Sequence, residues 1–330
     1  MAERLAPGVS ARRKAWPVQL RGCIAVARFD HWTKNVFVLP GVIIPLTLAH
    51  VPLTPVFWMV LATGFLSIGL IASSNYTINE LLDAPFDRFH PTKRFRPIPQ
   101  GLVAPSAAYL QWLLLMMAGM ALAATISRGF FQTMGALWLM GCVYNLAPLR
   151  TKDLPYLDVL SESINNPLRM LAGWYMVTSL VPPLSLLTSY WMVGCYFMAL
   201  KRFSELRELG PDTAATYRRS FRFYTERSLL VSVTFYAAAA MLFFGAFMVR
   251  YRVELVLAFP FVAVVMAMYF HMAFDQQSAV QHPEYLHRQR GLLSAVVVCV
   301  LVMTTLLFVD IPWLYETFSP TLPVHGTPSK

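Results

Sequence analysis

Residues 56–88 read VFWMVLATGFLSIGLIA followed by Ser73-Ser74-Asn75-Tyr76-Thr77-Ile78-Asn79-Glu80-Leu81-Leu82-Asp83-Ala84-Pro85-Phe86-Asp87-Arg88. The first part is uncharged and apolar; the second sets polar and acidic side chains at its end. A membrane-spanning helix needs about 20 mostly apolar residues. The stretch therefore predicts a spanning helix whose last turns carry carboxylates out of the lipid.

Working outward, further apolar runs start near Val36, Ala107, Phe130, Val159, Leu184, Leu229, Val253 and Leu292, for a total of nine. Of the 330 residues 57% are hydrophobic and 13% charged, against roughly 25% charged in an ordinary soluble domain. Lipid is the predicted solvent, and the expected fold is all-α: a polytopic transmembrane helical bundle of about nine spans. Several runs are separated by only a few residues, too little for an intervening soluble domain. The expected organisation is a basic arm over 1–28, one nine-helix transmembrane catalytic domain over 29–310, and a loosely ordered external tail over 311–330.

The arm carries Arg4, Arg12, Arg13, Lys14, Arg21 and Arg28 but no continuous apolar core or small-residue cleavage site, so it does not read as a signal peptide. With the amino terminus inside, all but five of the 27 Lys and Arg residues fall in the arm or in connections on its side; Arg128, Arg250, Arg252 and Lys330 face outside and Arg169 lies within a span. This predicts a cytoplasmic amino terminus in the plasma membrane, with the site facing the cytoplasm. The net charge of +10 flanks spans, where it meets anionic headgroups or substrates, so nucleic acid is not expected as a partner. Cys23, Cys142, Cys195 and Cys299 are scattered without a C-x-x-C pair, which indicates neither disulfides nor a zinc site.

Asn79, Asp83 and Asp87 are four residues apart and share a helix face. Stacked carboxylates repel, and magnesium, commonly held by one or two carboxylates with substrate phosphates completing its shell, would neutralise them. Arg88, His90, Lys93, Arg94 and Arg96 follow immediately and can donate to phosphate oxygens. Pro85 removes one helical bond, so the helix is expected to kink or end there, with Asp87 on a loop within reach of the same metal. A plainer reading is a set of solvated charges at a membrane boundary.

A second stripe, Asp158, Glu162, Asn165 and Arg169, follows Tyr144 and Lys152 and has Asn166 and Pro167 within it. It carries ionisable groups into a span, where they need a wet, protein-lined cavity; helix-gluing ion pairs are the alternative. A third group, Lys201, Arg202 and Glu205, ends the sixth run, with Lys201, Glu205 and Glu208 on one face, either as a salt-bridge ladder or as a substrate contact. Arg218, Arg219, Arg222 and Arg227 read as membrane anchors, and His282 and His287 as loop residues.

Asn79-Glu80-x-x-Asp83-x-x-x-Asp87, with about nine spans, resembles the UbiA-type intramembrane prenyltransferase superfamily, whose signature is N-D-x-x-D-x-x-x-D; Glu80 replaces the usual second residue. Asn75-Tyr76-x-Ile78-Asn79-Glu80, Asp83-Ala84-Pro85-Phe86-Asp87-Arg88, His90-Pro91-Thr92-Lys93-Arg94, Asp158-Val159-Leu160-Ser161-Glu162-Ser163 and Asn165-Asn166-Pro167-Leu168-Arg169 are similar, over most of the chain, to its actinobacterial polyprenyl-phosphate phosphoribosyltransferase branch. Where the superfamily has D-x-x-x-D on helix 6, this chain has Lys201-Arg202-x-x-Glu205.

The resemblance implies transfer of phosphoribose from 5-phosphoribosyl diphosphate to a polyprenyl (decaprenyl) phosphate, releasing diphosphate, for cell-wall arabinan. It implies magnesium on Asp83 and Asp87 with Asn79 assisting, and Asp83 and Asp87 as catalytic residues. Arg88, Lys93, Arg94, Lys152, Lys201 and Arg202 would offset phosphate charge, while Tyr144, Asp158, Glu162, Asn165, Asn166, Arg169 and Glu205 would bind substrate. Prenylation of an aromatic acceptor in quinone biosynthesis is a sibling alternative. A secondary transporter of an anionic solute is an alternative of another class, although its charges would cluster at the bilayer midplane between repeats.

Overall fold

The computed structural model of the chain describes residues 16–49, 52–88, 92–275, 280, 289–319 and 321. His90, His282, His287, most of the basic arm and residues 322–330 lie outside them. Among the described residues the chain is helical with no strand: α1 Trp16–Ala27, α2 Leu39–Ala49, α3 Pro55–Asp87, α4 Pro105–Ala124, α5 Arg128–Asn145, α6 Leu157–Ser163, α7 Asn165–Val177, α8 Leu184–Leu209, α9 Pro211–Tyr217, α10 Glu226–Tyr251, α11 Phe259–Met272, α12 Arg290–Phe308 and α13 Pro312–Phe318. Tight 3-10 turns at Phe29–Val38, Lys93–Phe95, Thr151–Asp153, Arg219–Phe223 and Val253–Ala258 join several of these.

Each of the nine expected apolar runs falls on helix. Among the described residues, five helical stretches are long and apolar enough to cross a membrane: α3, α4, α10, Val253–Met272 and α12. The others are shorter, broken or more polar; α2 has 11 residues with Pro45 inside it, and the fifth run divides into α6 and α7 around Ile164.

Local sequence sets where the helices begin. The Thr54 hydroxyl accepts from Phe57 N at 3.3 Å with Pro55 in the first helical position, and the Ser127 hydroxyl accepts from Phe130 N at 3.1 Å, each satisfying an amide that the first turn leaves unpaired. Packing then follows small residues. A Cβ on Gly41 would stand 1.8 Å from the Met170 carbonyl oxygen, and one on Gly173 2.3 Å from that of Val38. These glycines let α2 and α7 approach backbone to backbone. α3 lies mainly against α4, and α8 against α10.

α3 carries the acidic ladder. Its 33 residues make a helix of about 50 Å at 1.5 Å per residue, longer than the about 30 Å of hydrocarbon in a bilayer. Pro85 does not end it: Arg88 N bonds Ala84 O at 3.3 Å, and Ala84 is buried in a small cluster with Val26, Ile98 and Val103. Near a helix end the lost bond is offset by this packing, so Asp87 stays on the helix and not on a loop. The expected loose tail likewise starts with α13, where Glu254 accepts from Ile311 N at 3.3 Å and from the Tyr315 hydroxyl at 3.2 Å.

Candidate active site

At the end of α3 the i, i+4 spacing places Asn79, Asp83 and Asp87 along one face, opposite the turn after α5. That turn supplies Lys152, whose Nζ reaches Asp83 Oδ1 at 2.5 Å, Asn145 Oδ1 at 2.9 Å and Asn79 Oδ1 at 3.4 Å. Arg150 Nη2 meets the same Asp83 oxygen at 3.2 Å, and Arg96 Nη1 meets Asp87 Oδ2 at 2.6 Å. Lys152 is 4% exposed; burial pushes its ammonium down to about 8, against the upward pull of Asp83. A lysine in that state holds its charge most firmly with an anion beside it.

Glu80 faces elsewhere. Its buried carboxylate accepts Ile98 N at 3.1 Å and lies 3.8 Å from Arg28 Nε, so it pins the chain that brings Lys93 and Arg96 back over α3.

The second stripe meets the third group across α6 and α8. Asp158, wholly buried, accepts from the Tyr224 hydroxyl at 2.5 Å, from Arg202 Nε at 3.1 Å and from Ser220 Oγ at 3.2 Å, with Arg218 Nη1 3.5 Å away. Glu162 accepts from the Tyr144 hydroxyl and Arg202 Nη2, both at 2.8 Å, and Arg202 Nη1 meets Glu205 at 3.3 Å. All three nitrogens of Arg202 are therefore committed to carboxylates.

Between these networks lies a cavity of about 190 Å³. Asp83, Asp87, Lys93, Lys152 and Glu205 line it, together with Phe86, Asp153, Ala215, Thr216, Arg150, Arg218, Arg219 and Arg222. Asn79, Tyr144 and Arg202 stand one hydrogen bond behind, on Lys152, Arg218 and Glu205, and Glu162 stands behind Tyr144 and Arg202. Asp158 is buried beneath, while Asn165, Asn166 and Arg169 sit along the α6–α7 axis outside the lining. Lys201 is half-buried outside the lining; Arg88 and Arg94 are exposed, and Arg94 rests 4.8 Å over the Phe95 ring.

Six basic side chains line the cavity against four acidic ones, so its balance favours an anion. Arg150 and Arg218 were not expected there. Arg150 follows a helix end and carried no spacing signal; the cluster Arg218-Arg219-x-x-Arg222 was read as anchors, although buried Asp158 and Glu162 require nearby cations. No three His, Cys, Asp or Glu side chains gather as a metal cage among the described residues. Asp83 and Asp87 each give one oxygen to a cation, while Asp83 Oδ2 and Asp87 Oδ1 carry no bond among the described residues. Two oxygens one helical turn apart suit a hard cation whose remaining ligands are waters and phosphate.

The profile of the UbiA prenyltransferase family matches residues 36–293. The chain belongs to the UbiA prenyltransferase family. Among its UbiA relatives, decaprenyl-phosphate phosphoribosyltransferase of Mycolicibacterium smegmatis is 31% identical over 232 residues, covering 68% of this chain and 69% of that protein. The protein of the same name from Mycobacterium tuberculosis is 30% identical over 228 residues, covering 68% and 72%. A UbiA homolog from Archaeoglobus fulgidus, solved bound to DMAPP and Mg2+, shares the fold with a TM-score of 0.67 at 20% identity, over 87% of this chain and 99% of that one.

Proposed function

We propose that this UbiA family member transfers the 5-phosphoribosyl group of 5-phosphoribosyl diphosphate to a polyprenyl phosphate, releasing diphosphate, in the supply of cell-wall arabinan precursors. The observation that carries this reading is the cavity at the end of α3, where two carboxylates, each with one oxygen unbonded among the described residues, face a surplus of Lys and Arg. Such a lining suits a donor with several phosphate charges. The likeness to the two mycobacterial phosphoribosyltransferases supports the same donor.

In the proposed step an acceptor phosphate oxygen attacks the anomeric carbon, and the bond from that carbon to the diphosphate oxygen breaks with its electron pair leaving on diphosphate. A magnesium ion held by Asp83 and Asp87, with Asn79 assisting, would supply Lewis-acid stabilisation of the leaving group. Lys93, Arg150, Lys152 and Arg218 hold the phosphates and offset their charge. Arg202 serves differently: with its nitrogens on Asp158, Glu162 and Glu205, it positions those carboxylates and Tyr144 instead of binding phosphate. The acceptor phosphate is already an anion and needs no general base.

The layout matches a soluble donor and a lipid acceptor that meet only at a membrane face. All nine apolar runs cross the bilayer in this reading, with residues 1–28 and the cavity on the cytoplasmic side of the plasma membrane, residues 29–310 as the catalytic domain and 311–330 outside. Purified protein given labelled 5-phosphoribosyl diphosphate and polyprenyl phosphate should yield a labelled lipid. Label moving instead from a prenyl diphosphate to an aromatic acid would establish the quinone-type reaction and overturn this one.

A further inference from the structure

Arg169 is 9% exposed and has no acidic partner among the described residues. Its one hydrogen bond there runs from Nη1 to the Asn165 carbonyl oxygen at 3.3 Å, and its Nε is buried without an acceptor. The other arginine buried among the described residues, Arg202, holds three carboxylates. An uncompensated cation inside a lipid-embedded bundle is strongly unfavourable, so an anion is the natural complement of this group.

Position narrows the anion. The side chain runs back toward the start of α7, the direction Cβ geometry favours, so the guanidinium lies at the level of Asn165, about one turn from Glu162. It does not line the donor cavity. Beyond Arg169, α7 continues as the apolar run Met170-Leu171-Ala172-Gly173-Trp174-Tyr175-Met176-Val177. Met170 and Trp174 belong to a buried cluster. Tyr190, close enough to Arg169 to interact electrostatically, donates to Phe37 O at 3.2 Å, and Val36, Phe37 and Leu39 expose apolar surface on that segment. Asn165 Oδ1 is also buried without a donor.

We infer that Arg169 receives a phosphate monoester carried on an apolar chain, placing the lipid acceptor's phosphate between the donor cavity and the apolar bundle. The acceptor role rests on the proposed transfer reaction; binding of a lipid phosphate does not. A free phosphate shares the head-group chemistry but gains nothing from the apolar surroundings.

The test uses the full-length protein in detergent, as wild type, Arg169→Gln and Arg169→Lys. In initial-rate measurements Arg169→Gln should raise KM for polyprenyl phosphate at least about tenfold, the loss of a charge-assisted bond, with KM for 5-phosphoribosyl diphosphate unchanged. Arg169→Lys, which keeps the charge and so the fold, should shift the lipid KM in the same direction by less. A rise in donor KM, or unchanged KM for both substrates in the lysine variant, would overturn the assignment. In parallel, polyprenyl phosphate should raise the melting temperature of wild type where uncharged polyprenol and inorganic phosphate do not, and Arg169→Lys should weaken that rise. Equal stabilisation by inorganic phosphate would overturn the lipid assignment. Arg169-dependent lipid-phosphate binding without any phosphoribosyl transfer would support this site while refuting the reaction.

Discussion

Two acidic networks face each other across the cavity, and their bonding differs. Asp158 is wholly buried and surrounded by Tyr224, Ser220, Arg202 and Arg218. Asp83 and Asp87 stand at the cavity wall, each with one oxygen bonded and one open among the described residues. A carboxylate whose acceptors are filled by the fold contributes rigidity, because freeing it to hold a ligand would leave buried cations unpaired. An acceptor left open beside a cavity is available to a metal or a substrate. In the proposed reaction this difference makes Asp158, with Tyr224, Ser220 and Arg202, the support and the α3 pair the place of chemistry.

That contrast can be broken most forcefully from the supporting side. Asp158→Ala removes a buried partner of Arg202 and should destabilise the protein by about 3–5 kcal/mol, read as a large fall in melting temperature in detergent. If it melts like wild type and only activity falls, the two networks have been assigned the wrong way round. Asp83→Asn should fall mainly on chemistry: turnover drops on the order of 10²–10³-fold, the scale for losing a charge-stabilising group at a reacting centre, while melting falls less than in Asp158→Ala because the amide oxygen still accepts from Lys152.

Glu80 sharpens the comparison within α3 itself, since it neighbours Asn79 in sequence yet faces Ile98. Glu80→Ala leaves the Ile98 amide unsatisfied and should cost about 1–3 kcal/mol of stability; Glu80→Gln, which keeps an acceptor oxygen, should cost less. A loss of metal dependence in either variant, measured by titrating magnesium against rate, would instead make Glu80 a ligand. The smallest effect belongs to Arg94, exposed and stacked on Phe95: Arg94→Ala should change stability by no more than about 0.5 kcal/mol and leave donor KM unchanged.

What could be read in the sequence follows how local each feature is. The α3 ladder was legible because residues four apart share a helix face whatever surrounds them, and the same holds for Asp158 and Glu162. The long apolar runs announced helices because in lipid only a helix satisfies the backbone within a single segment. Arg202 was not legible as a hub, because its partners Asp158 and Glu162 come from a separate helix, 44 and 40 residues away. Arg150 and Arg218 were hidden similarly: only the folded turns after α5 and α9 bring them to Asp83 and Asp158. The passage of α3 through Pro85 also depended on packing from α1 and the 98–108 segment, which no local rule contains.

The central claim is that Asp83 and Asp87 hold a divalent ion on which release of diphosphate depends. The most direct measurement follows labelled phosphoribose from 5-phosphoribosyl diphosphate into polyprenyl phosphate, using protein stripped by a chelator and then titrated with magnesium. The account predicts no labelled lipid in the stripped protein, full recovery with magnesium, and little recovery in Asp83→Asn at any magnesium concentration. Undiminished labelled lipid without a divalent ion, or an Asp83→Asn variant as active as wild type, would contradict it.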